Sequence, residues 1–214
     1  MLAGVLAVAD GAITLLWEEP ISSLYARSQQ GKLDDRLAAL ERSGPPPVER
    51  RALARLPDPR RRLAFAARAA GRRAGAGDPV GRLRAAAIGL DTVIVEGTGG
   101  ATLRTGPGHY PDTSLPGQRG TVAVAGHRTT YGAPFRRVDD LEAGDRIELE
   151  LPYGRFAYRV ERTQIVEPTA LWVTRRVAYD RLVLTACHPL YSAAQRIVVF
   201  ARLERSTPRG AAAA

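Results

Sequence analysis

The spacing of hydrophobic positions changes along this chain, and the change divides it. From about Asp78 onward, apolar and polar residues alternate in short runs. Two lie within Gly81–Gly97 (GRLRAAAIGLDTVIVEG); the rest are Thr121–Gly126 (TVAVAG), Asp145–Leu151 (DRIELEL), Gly154–Val166 (GRFAYRVERTQIV), Arg181–Cys187 (RLVLTAC) and Arg196–Leu203 (RIVVFARL). A period of two with β-branched enrichment is the mark of strands, and DRIELEL and FAYRV read as half-exposed antiparallel ones. Pro152-Tyr153-Gly154 between two of these runs reads as a hairpin turn. Strands this closely spaced predict an all-β barrel or sandwich, not βαβ units.

Upstream the texture is different. Lys32–Arg55 predicts one or two polar helices, interrupted at Gly44-Pro45-Pro46-Pro47, and Arg60–Arg62, Arg68 and Arg72-Arg73 follow before AGAGDP. The apolar positions form no sustained stripe, so this segment reads as a stalk, partly helical and partly disordered. Leu2–Trp17 is nearly all apolar or small and ends on an aromatic, as an interfacial anchor would. It falls a little short of the ~20 residues of a full span, and Asp10 in its middle costs about 2.5–3.5 kcal/mol. No small-residue cleavage site follows, so it reads as an uncleaved N-terminal membrane anchor. The expected organisation is therefore an anchor and juxtamembrane segment over 1–29, a basic stalk or linker over 30–77, a β-barrel over 78–205 and a disordered tail over 206–214.

A formal charge of +9 favours polyanionic surroundings, namely nucleic acid, anionic lipid headgroups or acidic wall polymers. Nucleic acid is disfavoured, because the basic segment carries neither stacking aromatics nor a recognition helix. A single cysteine excludes an intramolecular disulfide framework and the common structural zinc patterns. With three histidines, no paired carboxylates and no Gly-rich phosphate loop, the sequence calls for no metal and no cofactor.

That lone cysteine, Cys187, sits where a strand stops, since His188-Pro189 ends the run. Leu182, Leu184 and Ala186 share one face; Val183, Thr185 and Cys187 share the other. A thiol needs ionisation to act as a nucleophile, and at an ordinary pKa only a few per cent is ionised at pH 7. A neighbouring imidazole can take that proton. Arg196, opening the next strand after a short loop, cannot act as a base because it stays protonated. It can bind substrate and an oxyanion, with attraction on the order of 4 kcal/mol at 4 Å and an effective dielectric of 20. Thr185, on the cysteine's face, is a candidate substrate contact. His188 points the opposite way and reads as a rim residue shaping substrate access. His109, in TGPGHYPD, reads as a loop residue, and Asp180 as part of a turn.

LVLTACHP followed by Arg196 resembles the TLxTC…R signature of sortases, and AGHRTTYG resembles the sortase histidine segment. The likeness runs from about Gly81 to Leu203 and includes LPGQRGTVAVAGHR and LEAGDRIEL. It is most like class E, the housekeeping type of actinobacteria. The resemblance implies an eight-stranded closed β-barrel with short helices, an N-terminal membrane helix and a catalytic domain on the extracellular face. It implies cysteine transpeptidation on secreted proteins carrying a C-terminal LAxTG- or LPxTG-like sorting signal. Cys187 would attack the Thr–Gly bond, His127 would manage the proton on the leaving and incoming amines, and Arg196 would stabilise the oxyanion. A peptidoglycan-precursor amine would then resolve the acyl-enzyme. The chain departs from the family pattern at Ala86-Ala87, where Ile-Pro is usual, and at Ala186 before the cysteine. Two other readings remain: a wall transpeptidase of the L,D type, whose Ser-His-Gly-Cys setting is absent, and a silent membrane-tethered module binding anionic wall polymers.

Overall fold

Eight strands, β1 (Pro79–Ala85), β2 (Leu90–Glu96), β3 (Gly108–His109), β4 (Thr121–Ala125), β5 (Arg146–Leu151), β6 (Gly154–Val166), β7 (Arg181–His188) and β8 (Gln195–Pro208), run through a computed structural model that describes residues 20–213. They close into one barrel in the order β1–β2–β3–β4–β7–β8–β6–β5, with β5 returning to β1. Most neighbours are antiparallel; β2–β3 and β4–β7 are the parallel pairs. The alternation read from the sequence is what fills the barrel. Leu83, Ile94, Val122, Val124, Ile147, Leu149, Phe156, Tyr158, Leu182, Leu184, Ile197 and Val199 point inward into one buried cluster. Phe135, Val138 and Leu141 join the same cluster from the β4–β5 connection.

The segment expected as a stalk is instead helical and packed on the barrel. Helices α1 (Pro20–Ser43), α2 (Pro47–Ala54) and α3 (Pro59–Arg73) occupy it, and a single turn, α4 (Gly100–Leu103), follows β2. Pro47, read as part of an interruption, is a start: it opens α2 as Pro59 opens α3, where their fixed φ and missing N–H cost nothing. Asp58 caps α3 by accepting from the Arg60 amide at 2.9 Å. Leu63, Ala66 and Ala67, spaced three and four apart, bury against the barrel core beside Leu53 of α2. This stripe is built mostly of alanine, which is why the sequence shows no strong helical periodicity there.

Along the outside, Leu33 and Leu37 of α1 cover Val93 and Val95 of β2. Strand β3 reaches only Val95 and Glu96 of β2, so the Val93 peptide groups need another partner. Gln30 supplies it: its carbonyl accepts from the Val93 amide at 2.8 Å and its amide donates to the Val93 carbonyl at 3.2 Å. The tail expected to be disordered is also largely ordered. Ser206–Pro208 pair with Gly154–Phe156, and Ala212 is buried in the core cluster. His109, expected in a loop, is buried in β3, with Nδ1 2.9 Å from the Glu96 carboxylate and Nε2 donating to the Ser114 carbonyl at 3.1 Å.

Among the described residues, no helix is long and apolar enough to cross a membrane. The expected anchor, Leu2–Trp17, lies outside the described residues. Because α3 closes the core, Leu63→Ala will destabilise the folded chain by about 2–5 kcal/mol, the range for a buried leucine. In a thermal melt this appears as a fall of roughly 2–4 °C per kcal/mol. A stalk standing free of the barrel would show no such loss.

Candidate active site

Strand parity decides which side of the barrel carries the chemistry. On β7, Leu182, Leu184 and Ala186 belong to the interior cluster. Val183 lies on the outer face with Ala123 of β4 and Val198 and Phe200 of β8. Cys187 continues the Val183–Thr185 series, partly exposed, at the strand's last outward position. Its register partner on β8 is Arg196, which by parity shares the outer face with Val198 and Phe200. Directly opposed residues of an antiparallel pair hold their Cβ atoms about 4.5–5.5 Å apart.

His127 approaches from the other side. Strand β4 runs parallel to β7 with Ala125 opposite Thr185. The Gly126 amide then donates to the Thr185 carbonyl at 3.0 Å, so the pairing continues beyond β4. His127 follows in the turn, and the next residue, Arg128, brings Nη1 to 3.5 Å from the Cys187 carbonyl oxygen. Gly126 is needed at this turn, since a Cβ there would sit 2.5 Å from the Phe135 ring. The Cys187–Arg196 pair and the loop bearing His127 thus stand at the adjacent ends of β4, β7 and β8.

The histidine is half enclosed. Its ring lies 5.2 Å from that of Tyr131, tilted by 43°, and the Arg104 guanidinium sits over the Tyr131 ring at 5.7 Å. Burial, and secondarily the positive charge of Arg104, hold the His127 pKa below the ordinary imidazole value of 6.5. The ring is therefore mainly neutral at pH 7 and free to accept a proton from a thiol or an amine. Tyr131 and Ala133 adopt positive φ (52° and 40°), conformations uncommon for residues with side chains. The Tyr131 amide also donates to Ser22 Oγ of α1 at 3.4 Å, which brings the first helix to this loop.

Arg196 folds one nitrogen back on its own loop: Nη1 donates to the Ala193 and Gln195 carbonyls at 2.9 and 3.0 Å. Nε and Nη2 make no hydrogen bond among the described residues. Thr185 is on the cysteine's side, as its parity predicts, but is buried, and its hydroxyl pairs with Tyr110 OH at 3.1 Å. His188 turns to the opposite side, where Arg128 Nη1 donates to its Nδ1 at 3.2 Å. Since arginine can only donate, His188 carries its proton on Nε2 and its Nδ1 lone pair is taken. The outer face below the Cys187–Arg196 pair is roofed by the β6–β7 connection. Trp172 stacks on Phe200 (6.0 Å, 12°), and Arg162 covers the same ring at 4.2 Å.

Two cavities, of about 450 and 550 Å³, flank α1; neither is lined by Cys187 or Arg196. Among the described residues, no three His, Cys, Asp or Glu side chains are disposed to hold a metal ion. Sequence reasoning did not single out Arg128, Tyr131, Arg104 or Tyr110. The first two lie inside GHRTTYG, yet nothing in their spacing marks one as buried and the other as lying against the histidine ring. The latter two are brought in from distant segments.

Removing the Arg104 charge relieves repulsion on the imidazolium, so Arg104→Ala will raise the His127 pKa. Titration of the His127 ring protons by NMR reads the shift directly. An unmoved midpoint would leave burial as its sole cause.

A family model described as a sortase domain matches residues 83–204. Sortase D of Bacillus subtilis is 35% identical over 131 residues, covering 59% of this chain and 64% of that protein. Sortase SrtE1 of Streptomyces coelicolor is 28% identical over 116 residues, covering 48% of this chain and 33% of that protein. The chain thus spans less than two thirds of the length of these curated relatives. Among solved structures, a Clostridium perfringens sortase D5 transpeptidase superposes with a TM-score of 0.67 at 22% identity, over 83% of this chain and 99% of that one, a likeness of fold. Sortase E from Streptomyces avermitilis gives a TM-score of 0.58 at 30% identity, over 65% of this chain and 99% of that one. Matched by that family model over more than half of its length and closed into an eight-stranded barrel, the chain belongs to the sortase family.

Proposed function

We propose that this chain is a cysteine transpeptidase acting on a C-terminal sorting signal, with Cys187 as nucleophile, His127 as proton carrier and Arg196 as oxyanion and substrate ligand. The observation that carries this reading is the pairing of Cys187 with Arg196 across β7–β8, with His127 in the turn after β4, between Gly126, which donates to the Thr185 carbonyl, and Arg128, which reaches the Cys187 carbonyl. In the first half-reaction the Cys187 sulfur, its proton taken by His127, attacks the threonine carbonyl carbon of a Thr–Gly bond. The carbonyl oxygen becomes an oxyanion, and the guanidinium nitrogens of Arg196 not used by its own loop are the donors available to it. Collapse breaks the C–N bond, His127 returns the proton to the departing glycine amine, and a thioester remains. In the second half-reaction an amine of a peptidoglycan precursor attacks the thioester, giving its proton to His127. A new amide forms and Cys187 is released. A neutral imidazole is the form this cycle needs at its start, in keeping with the lowered His127 pKa.

His188 is not assigned the proton transfer, because its Nδ1 is occupied by Arg128. Thr185, held by Tyr110, supports the floor of the substrate path beneath the cysteine. The Leu2–Trp17 run serves as a single-pass membrane anchor, and the barrel works on the extracellular face, where secreted substrates and wall precursors meet it. Both LAxTG and LPxTG are candidate signals, since the relatives include sortases D and E.

Fluorogenic LAxTG and LPxTG peptides, each with and without an amine acceptor, test the proposal. Cys187→Ala will abolish cleavage. His127→Ala and Arg196→Ala will each lower kcat/KM by at least about 10²-fold, the ordinary weight of a proton carrier or an oxyanion donor. The preferred peptide assigns the class. A wild-type chain that turns over neither peptide, with a thiol of ordinary reactivity, overturns the enzyme reading.

A further inference from the structure

We propose that Arg128 is the positioning residue of this site, a single buried guanidinium that locks the His127 loop to the strand end bearing Cys187. The proposal rests on the transpeptidase reading and deepens it. Arg128 follows His127 directly in the chain, yet only 2% of it is exposed. Nη1 donates to His188 Nδ1 at 3.2 Å and lies 3.5 Å from the Cys187 carbonyl oxygen. Nη2 donates to the Asp139 carboxylate at 2.7 Å and to the Arg136 carbonyl at 3.3 Å. One planar group therefore touches the backbone of the nucleophile, the ring beside it and the turn behind it. It is covalently one residue from the proton carrier.

Stability alone is a poor account of this arrangement. A guanidinium taken out of water loses hydration that one carboxylate must offset, and the Asp139 side chain is itself 42% exposed. Nε of Arg128 is buried without a hydrogen-bond partner among the described residues. Buried pairs of this kind are often replaced by apolar groups of similar volume with little loss of stability. What an apolar group cannot do is hold three segments in one geometry. The fork shape matters for that, because it spans His188, the Cys187 carbonyl and Asp139 at once. Displacements of about 1 Å between reacting groups cost on the order of 10² in rate.

The test uses the full chain carrying Arg128→Met or Arg128→Lys, followed by thermal melting, by alkylation of Cys187 with iodoacetamide across pH, and by peptide turnover normalised to the alkylatable thiol. Arg128→Met removes one partner only and is expected to melt below wild type, and to lower kcat per folded molecule by about 10–100-fold, with KM changed by less than about twofold. Its alkylation–pH profile is expected to be displaced. Arg128→Lys keeps the charge without the fork and is expected to fall between the two; it carries the same readouts should the methionine variant fail to fold. An unchanged kcat, or one that falls only with the fraction of folded protein, overturns the proposal. If wild type turns over neither peptide, the transpeptidase reading fails on its own, and the alkylation profile decides for Arg128: displaced, the positioning role stands; superimposable on wild type, it falls.

Discussion

The eight paired positions that join β7 to β8, from Arg181–Arg202 to His188–Gln195 without a bulge, set where each reactive group stands. In a strand pair a slip of one residue sends every side chain to the other face. Such a slip would bury the Cys187 thiol among leucines and turn Ala186 outward. The register is secured by what lies inside: Leu182, Leu184 and Ala186 against Ile197 and Val199, all fully or nearly fully buried. The irregularities of the barrel fall elsewhere, between β1 and β2 at Pro79/Gly81 and between β6 and β8 at Ala157/Tyr158 and Val160/Arg162. Bending is thus absorbed outside the β7–β8 pair.

Around the site the charge is of one sign. Arg196 opposes the cysteine, Arg128 reaches its carbonyl, and Arg104 covers Tyr131, whose ring lies against His127. Asp139, the carboxylate facing Arg128, is engaged with it. Fixed cations in a partly dry site favour chemistry in which negative charge develops, because they need no reorganisation when it appears. The same surroundings disfavour a second positive charge, consistent with an imidazole kept neutral. The chain's excess of arginine, read at first as a property of a solvated stalk, is therefore also a property of the site.

The barrel was legible because its strands alternate cleanly, and Cys187, Arg196 and His127 because each sits in a recognisable run. Parity alone also told which way His188 turns. The helices were harder to read. Their buried stripe is Leu63, Ala66 and Ala67, and alanine gives a weak hydrophobic signal even where it packs completely. Gln30 carries no sequence signal, yet it substitutes for a missing strand along Val93. Strand β3 is two residues long, too short to announce itself, so His109 looked like a loop residue although Glu96 waits for it across the β2–β3 pair. Arg128 was hidden for a related reason. Burial of a charged side chain depends on partners that the chain supplies from far away, and no local pattern records them.

β4 and β7 are neighbours in the barrel but distant in the chain, with 60 positions between Arg128 and His188. Bringing such segments together costs loop entropy before their contacts offset it, so non-local pairings of this kind govern the pace of folding. The β7–β8 hairpin needs no such closure. A chain that has formed this hairpin alone already holds its thiol opposite a guanidinium, but has no imidazole beside it. Completion of the barrel and completion of the reactive site are therefore one event, and a half-folded molecule is a molecule without the means to move a proton.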